Sequence, residues 1–197
     1  YASEAGTPLI SDPGYDLVRA ARDAGSPVTA APGACAAVTA LSVAGLPTDR
    51  FHFVGFLPGA SGARRKALQG LADIEATLVL YESPHRIGKL LADATELLGP
   101  DRPATLCREL TKRFEECREG TLGTLTGSVA AEPPRGEIVL LVGKGAATAV
   151  SELEIDEMLQ QCLETMSVRD AADHVARHFG LKRRPVYQRA MKVGDRD

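Results

Sequence analysis

The segment from Ser3 to Gly14, SEAGTPLISDPG, constrains the fold more than any other part of the chain. Gly6 has no Cβ and Pro8 has no N–H, so this loop can turn tightly and bring its backbone close to a small ligand. Asp12 is suited to cap a helix whose first residue is Pro13. The segment therefore predicts a ligand-binding loop between a strand and a helix, although an ordinary turn has the same residue types.

Composition limits the classes of protein to consider. The 197 residues are enough for one large domain, or for one domain with a small appendage, and the net charge of −3 gives no overall attraction to nucleic acid. RNA binding would need local basic patches. No run is long enough for a membrane span and no signal-peptide pattern opens the chain, so no membrane contact is expected. The use of cysteine fits a reducing cytoplasm best. Neither a disulfide framework nor a metal site is predicted, because the four cysteines are widely spaced: Cys35, Cys107, Cys117 and Cys162.

Three regions follow from the pattern of apolar residues. Residues 1–49 are interpreted as the remainder of an N-terminal α/β lobe, 50–146 as a second α/β lobe and 147–197 as a small helical module. Because the chain enters the first loop almost at once, we expect the first lobe to be truncated at its N-terminus. Its helix, strand, helix order predicts a parallel sheet. The predicted strands are 28–31, 50–56, 77–81, 104–108, 115–120 and 138–142, and the predicted helices are 15–24, 34–44, 64–71, 85–98, 122–131, 155–163, 168–179 and 185–193.

The helical module carries its own signals. Ser167 and Asp170 predict a capping box, and Gly180 predicts the end of the helix that follows them. The last segment is basic and has no acidic neighbour in sequence, which fits a solvated helix face more often than a nucleic-acid contact. Its basic residues are Lys182, Arg183, Arg184, Arg189 and Lys192.

Charged residues follow two predicted strands. Tyr81–Arg86 leaves the first, and open α/β sheets bind ligands at such strand ends. Ser83 can instead cap a helix there, and Arg86 can pair with a carboxylate. Cys107–Arg113 leaves the second strand, so the two exits predict a common cleft, although surface ion pairs explain each alone.

A third charged segment is the glycine loop Gly59–Lys66, which runs into the basic start of a helix. Backbone N–H groups and guanidinium groups there suit a phosphodiester backbone. A flexible loop between lobes is the other interpretation, because a single G-x-x-G is a weak signal.

Together these motifs resemble the tetrapyrrole methylase superfamily and, within it, the RsmI family of bacterial small-subunit ribosomal RNA (cytidine-2′-O)-methyltransferases. The resemblance extends from Ser3 to Val142 and is weaker in the helical tail. The motifs that carry it, in chain order, are SEAGTP, SDPG, the Pro-Gly at 32–33, GLPTDRF, GFLP, ESPHR, RELTK and RGEIVL.

The resemblance implies S-adenosylmethionine as methyl donor, bound in a cleft between two α/β lobes. The sequence has no G-x-G-x-x-G, and a sulfonium cation needs carbonyl and carboxylate oxygens rather than an amide cradle for phosphate. Cys35 and Glu4 depart from the family, which has serine and aspartate there. The donor-binding residues implied by the resemblance are Glu4, Ala5, Gly6, Thr7, Pro8, Ala34, Cys35, Ala36, Leu80, Tyr81 and Ile138.

The expected reaction is methyl transfer to the 2′-hydroxyl of a cytidine in 16S ribosomal RNA, either free or in the small ribosomal subunit. The candidate catalytic bases are Glu82, His85 and Glu109. The residues expected to hold RNA phosphates are Arg64, Arg65, Arg86, Arg108 and Lys112. The resemblance also implies a homodimer. Two alternatives stay open, a tetrapyrrole methyltransferase of the same fold and a noncatalytic RNA-binding or ribosome-assembly module.

Overall fold

The computed structural model describes residues 2–3, 6–145, 152–179 and 181–194. The chain forms two compact units, Tyr1–Gly145 and Ala146–Asp197. The division of the first unit into lobes at residue 50 stays a prediction. In the described ranges, no helix combines the length and the apolar character that crossing a bilayer requires.

The first unit is built on one mixed sheet of five strands in the order β1-β2-β5-β3-β4. The strands are β1 Phe51–Phe56, β2 Thr77–Glu82, β3 Pro103–Arg108, β4 Glu116–Thr121 and β5 Ile138–Val142. β1 and β2 are parallel, and the other three pairs are antiparallel. Because β2 and β3 both run antiparallel to β5, their C-terminal ends lie side by side, next to the N-terminal end of β5. Glu82 and Arg108 each pair there with Ile138, so the two charged exits lie close together. The cleft at this position is lined by residues of the first exit and by none of Cys107–Arg113.

Helices cover both faces of this sheet. The helices of the first unit are α1 Tyr15–Asp23, α2 Ala36–Val43, α3 Ser61–Gln69, α4 Ile87–Leu98 and α5 Leu122–Ala131. On one face Leu80 and Leu140 join the core formed with α3, α4 and α5, and on the other Val79 and Leu141 pack under α2. All residues of β5 are buried because its side chains alternate between two covered faces. Each fully buried leucine contributes about 2 kcal/mol to the free energy of unfolding.

Four local predictions are wrong. Val28–Ala31 is exposed and is not a strand, and the described part of residues 1–49 contains two helices and no strand, so the parallel sheet predicted there is not formed. Asp12 does not cap α1, because the helix begins later, after Gly14 at a φ of 132°. Ser83 does not cap α4 with its side chain. Its carbonyl oxygen instead accepts the N–H groups of Arg86 and Ile87.

The second unit consists of α6 Glu152–Leu163, α7 Val168–His178 and α8 Arg183–Gly194. Its core includes the buried side chains of Leu159 and Val175. The Ser167 hydroxyl accepts the N–H of Asp170 at 3.2 Å, which confirms the serine half of the predicted capping box. The Asp170 carboxylate accepts the Ser167 hydroxyl proton at 2.7 Å. The predicted helix end at Gly180 lies outside the described residues.

Two of the cations in α8 have acidic partners in space, although none lies near them in sequence. Arg183 pairs with Asp173 of α7, and Arg189 pairs with Asp156 of α6. Helix packing therefore neutralises part of the basic segment.

Candidate functional site

A cleft of ≈ 390 Å³ opens beside the C-terminal ends of β2 and β3 and the N-terminal end of β5. Open α/β sheets place ligands at this position, outside the carboxyl ends of their strands. The cleft combines apolar walls with a few polar groups, which is typical of a small-molecule site. Its lining residues are Ile10, Ser11, Asp12, Ala36, Phe56, Tyr81, Glu82, Ser83, Pro84, Gly136, Glu137, Ile138 and Val139.

The loop that sequence analysis singled out forms one wall of this cleft, through residues 10–12. Leu9 and Ser11 have positive φ angles of 72° and 57°, which are uncommon for residues with a side chain. Thr7 Oγ1 donates a hydrogen bond of 2.9 Å to the carbonyl oxygen of Ala34, so the loop is tied to the segment before α2. Such strain is typical of sites where the backbone is held for a ligand.

The position of Ser11 also bears on the presence of glycine at position 55 in β1, which lies close to it. Gly55 has a φ of 68° and lies at an irregularity in the pairing of β1 with β2. A Cβ on Gly55 would lie 3.2 Å from Ser11 Oγ. The positive φ, together with the close approach of the loop to β1, favours glycine at this position.

Tyr81 connects the sheet to α2 beside the cleft. Its hydroxyl accepts the N–H of Ala37 at 3.0 Å, which satisfies one of the free donors of the first helical turn. Its ring packs edge-to-face against Phe53 and Phe56. Burial raises the pKa of the Tyr81 phenol above its ordinary value of 10.0, an effect that the Ala37 hydrogen bond opposes and the adjacent Cys35 thiol reinforces. The phenol therefore stays protonated at neutral pH.

Glu82 is the buried acidic group of the cleft, with 3% of its surface exposed. Its Oε1 accepts the N–H of Ser83 at 2.8 Å. Its Oε2 lies 3.1 Å from Arg86 Nη2 but has no hydrogen bond from the described residues, because Nη2 donates instead to the carbonyl oxygen of Leu57 at 2.6 Å. Arg86 thus compensates the charge of Glu82 without donating a hydrogen bond to its Oε2.

Asp12, which also lines the cleft, has a second carboxylate oxygen without a hydrogen-bond donor. Its Oδ2 is buried in the cleft wall and has no hydrogen-bond partner among the residues that the structure describes. Buried polar atoms of native proteins nearly always have a partner, so an orphaned one points to a missing ligand or water. The Asp12-Pro13 pattern predicts a helix cap and does not predict this unpartnered oxygen. The position of Asp12 in the predicted ligand-binding loop does, however, indicate that its side chain can lie near a ligand.

Glu109 does not line the cleft, but it contacts the segment before β5 that does, which contains Gly136 and Glu137. Its Oε1 accepts the N–H of Glu137 at 2.9 Å and a Lys112 ammonium proton at 3.0 Å. The Glu137 N–H and then Lys112 lower the pKa of the Glu109 carboxyl below its ordinary 4.5. A carboxylate held in this way is a poor proton acceptor, so the geometry disfavours Glu109 as the base.

Arg64 is a correction to the predicted RNA contacts. It is 4% exposed, its guanidinium group donates to Asp93 Oδ2 at 2.7 Å and to the carbonyl oxygen of Gly59 at 3.2 Å, and it cannot reach a phosphate without breaking these bonds. Arg65, half-buried, pairs with the same Asp93 and with Glu96. The predicted basic helix start is therefore a network of ion pairs with α4.

The other predicted phosphate ligands also have acidic partners. Arg108 pairs with Glu116 on the neighbouring strand β4, and Lys112 pairs with Glu109 and Glu137. None of these cations lines the cleft. Each guanidinium or ammonium group is already paired, so a role in RNA binding stays a prediction for Arg65, Arg86, Arg108 and Lys112.

The remaining predicted residues divide into two groups. Ala36, Tyr81 and Ile138 line the cleft, as does Glu82. The others lie outside its lining: Gly6, Thr7 and Pro8 in the first loop, Ala34 and Cys35 before α2, exposed His85, and Leu80, whose side chain is buried on the opposite face of β2. Glu4 and Ala5 lie outside the described residues. Residues that the sequence did not suggest include Phe56, Gly136 and Val139.

Comparison with known families agrees with this architecture. Residues 1–126 match the family of Tetrapyrrole (Corrin/Porphyrin) Methylases, and residues 149–193 match the RsmI C-terminal HTH domain. Among solved structures, the methyltransferase CobJ superposes with a TM-score of 0.55 at 22% identity, covering 72% of this chain and 62% of that chain. Diphthine synthase superposes with a TM-score of 0.51 at 14% identity, covering 70% and 57%. These two likenesses concern the fold.

Curated proteins give closer matches in sequence. The Ribosomal RNA small subunit methyltransferase I of Erythrobacter litoralis is 51% identical, covering 89% of this chain and 62% of that protein. The proteins of the same name from Mesorhizobium japonicum and Pseudomonas aeruginosa are each 43% identical, covering 98% and 96% of this chain and 66% and 69% of theirs. The chain thus spans about two thirds of their length or slightly less. It belongs to the tetrapyrrole methylase family and, within it, to the RsmI family of ribosomal RNA small subunit methyltransferases.

Proposed function

We propose that this protein is a cytoplasmic methyltransferase that uses S-adenosylmethionine to methylate the 2′-hydroxyl of a cytidine in small-subunit ribosomal RNA. The names of its curated relatives support the class of reaction and of substrate. The observation that carries the proposal is that Asp12 and Glu82 both line one cleft and that each has a buried carboxylate oxygen without a hydrogen-bond donor from the described chain. A cationic ligand suits such a site.

The residues of the cleft fit the donor by their chemistry. S-adenosylmethionine, when bound, supplies a methyl group already activated by a sulfonium cation. Asp12 would hold the cationic part of the donor, and the apolar surfaces of Ala36, Ile138 and Val139 would hold its uncharged part. The strained loop would keep Asp12 in place, so little ordering remains to be done on binding.

Glu82 is the best of the three candidate bases. It is buried and lines the cleft, whereas Glu109 and exposed His85 lie outside the lining. In this mechanism Glu82 accepts the proton of the ribose hydroxyl as that oxygen becomes a nucleophile.

Paired substitutions test these two roles. Asp12→Asn is expected to weaken donor binding in calorimetry at least about tenfold, the loss of one charge-assisted contact. Asp16→Asn, on exposed α1, is the matched control and should bind normally. Glu82→Gln is expected to lower kcat about 100-fold while donor affinity changes little. Donor affinity unchanged in Asp12→Asn, or full turnover in Glu82→Gln, would refute the assigned role.

The acceptor is tested with labelled donor and three substrates: naked small-subunit ribosomal RNA, assembled small subunits and a precorrin-type tetrapyrrole. Label in a cytidine ribose supports the proposal, whereas label in the tetrapyrrole supports the first alternative. If calorimetry detects no donor binding, the noncatalytic module is the better description. The proposed homodimer is tested separately by light scattering.

The second unit offers a surface for the RNA. Residues 174–194 contain six Lys and Arg and no Asp or Glu. A surface depression of ≈ 440 Å³ is lined by three arginines and a tyrosine: Arg169, Arg183, Arg184 and Tyr187. Arginine with an exposed aromatic ring suits phosphate and an unstacked base. Arg184→Glu is expected to weaken RNA binding about tenfold in low salt without affecting donor binding, and Arg22→Glu, on exposed α1, is the charge-matched control.

A further inference from the structure

Two cysteines that are ten residues apart in sequence meet in the sheet. Cys107 of β3 and Cys117 of β4 are direct partners in the antiparallel register. Their sulfur atoms are 3.1 Å apart, and the Cys117 thiol donates a hydrogen bond to Cys107 Sγ. A disulfide bond is about 2.05 Å long, so the two sulfurs need to approach by only about 1 Å. Residues opposite each other in antiparallel strands have Cβ atoms close to the separation that this bond requires.

The surroundings of the two thiols differ. Cys107 is fully buried in the core under α2, and Cys117 is half-buried on β4, the edge strand of the sheet. Burial, followed by the hydrogen bond from Cys117, raises the pKa of the Cys107 thiol. Cys117 is therefore the sulfur that a small oxidant meets first, and Cys107 is held beside it as the resolving thiol.

We propose that Cys107 and Cys117 form a reversible intramolecular disulfide when the folded protein meets a two-electron oxidant of the peroxide class. The sulfur of Cys117 attacks one oxygen of hydrogen peroxide, the O–O bond breaks, and the departing oxygen leaves as water. The sulfur of Cys107 then attacks the sulfenic acid formed on Cys117, the S–O bond breaks, and a second water leaves. Two thiols lose two electrons and two protons, and one peroxide is reduced to two waters.

The bond would join the edge strand β4 covalently to β3. Cys107 also pairs with Val139, which lines the cleft, so the cross-link lies one strand away from the proposed donor site. A dithiol reductant such as dithiothreitol would reverse the reaction by thiol exchange. This inference does not depend on the proposed methyl transfer, because it concerns the two sulfurs alone.

Mass spectrometry of the native chain after brief treatment with hydrogen peroxide tests the proposal. The expected product is about 2 Da lighter, yields a cross-linked peptide pair containing Cys107 and Cys117, and returns to its original mass with dithiothreitol. The oxidised form should also unfold at a temperature several degrees higher. Folded protein whose Cys117 accumulates as sulfinic acid with Cys107 still reduced would overturn the proposal.

Variants separate this pair from the other thiols. Cys107→Ser and Cys117→Ser should each abolish the mass loss, whereas Cys35→Ser and Cys162→Ser should leave it unchanged. Oxidation of the wild-type chain in urea provides a second measurement that does not require a folded variant. The native chain should form this cross-link at least about tenfold faster than the denatured chain. Equal rates would overturn the proposal, because the register of β3 and β4 would then contribute nothing.

Discussion

The Tyr81 hydroxyl accepts the backbone N–H of Ala37 at 3.0 Å, which joins the end of β2 to the first turn of α2 beside the cleft. The contact links residues 44 positions apart and orders one wall of the candidate site. Ala37 is buried, so removal of the phenol hydroxyl takes away the acceptor of a buried N–H group.

Tyr81→Phe is therefore expected to lower the free energy of unfolding by about 1–2 kcal/mol, because the ring contacts with Phe53 and Phe56 persist while the Ala37 N–H loses its acceptor. Urea denaturation measures this loss. Tyr15→Phe, which removes a hydroxyl from an exposed ring, is the control and should be neutral. Equal stability of the Tyr81→Phe protein would show that this hydrogen bond contributes nothing.

Gly136→Ala is expected to destabilise the protein and weaken donor binding together. Gly136 has a φ of 86°, and an added Cβ would meet the Glu109 carboxylate, which Lys112 and the Glu137 N–H hold in place. The strain of a non-glycine residue at this φ costs about 1–2 kcal/mol.

The control for this substitution is Gly127→Ala, in α5, where a Cβ meets no neighbouring atom. It should raise the stability by about 0.5–1 kcal/mol, because alanine favours a helix. Urea denaturation and calorimetry with S-adenosylmethionine measure both effects. A Gly136→Ala protein as stable as the wild type would show that the loop adapts freely to a side chain.

All five strands of the observed sheet could be predicted to within one or two residues, and four of them are runs of apolar or alternating residues that end in polar or turn-forming ones, β4 being the mainly polar exception. Ile138–Val142 is the clearest case, since five consecutive aliphatic residues indicate a strand covered on both faces. Val28–Ala31 shows the same local pattern and is not a strand. A strand exists only with a hydrogen-bonding neighbour, and local sequence does not show whether one is present.

Local sequence also does not show which residues of the candidate site become neighbours in space. The sequence located the strand ends and the loop, but it could not show that Arg64 has Asp93, 29 residues away, as its partner. It could not show that Asp12 keeps an unpartnered oxygen, or that Cys107 and Cys117 meet. Such facts depend on register and on helix packing, which are set by the whole core rather than by neighbouring residues.

Acid is expected to weaken the contact between β3 and β4. Hydrogen bonds from Arg118 and then from Arg108 hold the pKa of the Glu116 carboxyl below its ordinary 4.5. A carboxyl whose pKa is lower in the folded state stabilises the protein above its unfolded pKa, and this stabilisation is lost as the pH falls through the folded value. It is therefore complete at neutral pH and decreases below about pH 4.5.

Free energies of unfolding measured from neutral pH to pH 3 check this expectation. Glu116→Gln should remove part of the decrease in stability between pH 4.5 and pH 3, because the variant has no carboxyl to protonate there. Glu119→Gln, an exposed residue of the same strand, should leave the profile as it is. Identical pH profiles for wild type and Glu116→Gln would refute the contribution of this ion pair.

Arg64→Met separates the structural interpretation of Arg64 from a role in RNA binding. It removes a buried cation that donates to Asp93, and it should lower the free energy of unfolding by about 2 kcal/mol. The loss is smaller than for an isolated buried pair because Arg65 still holds Asp93. Since the Arg64 guanidinium does not reach the surface, RNA affinity of the folded variant should equal that of the wild type.

Fluorescence anisotropy with small-subunit ribosomal RNA, below the unfolding temperature of the variant, measures that affinity. The matched comparison is Arg113→Met, because Arg113 is exposed on the loop after β3 and its loss should not change stability. If Arg64→Met binds RNA at least about tenfold more weakly while circular dichroism shows it folded, the buried ion pair is not the whole role of Arg64. If the RNA affinity of Arg64→Met is unchanged and its free energy of unfolding is lower, the role of Arg64 is to stabilise the packing of α3 on α4.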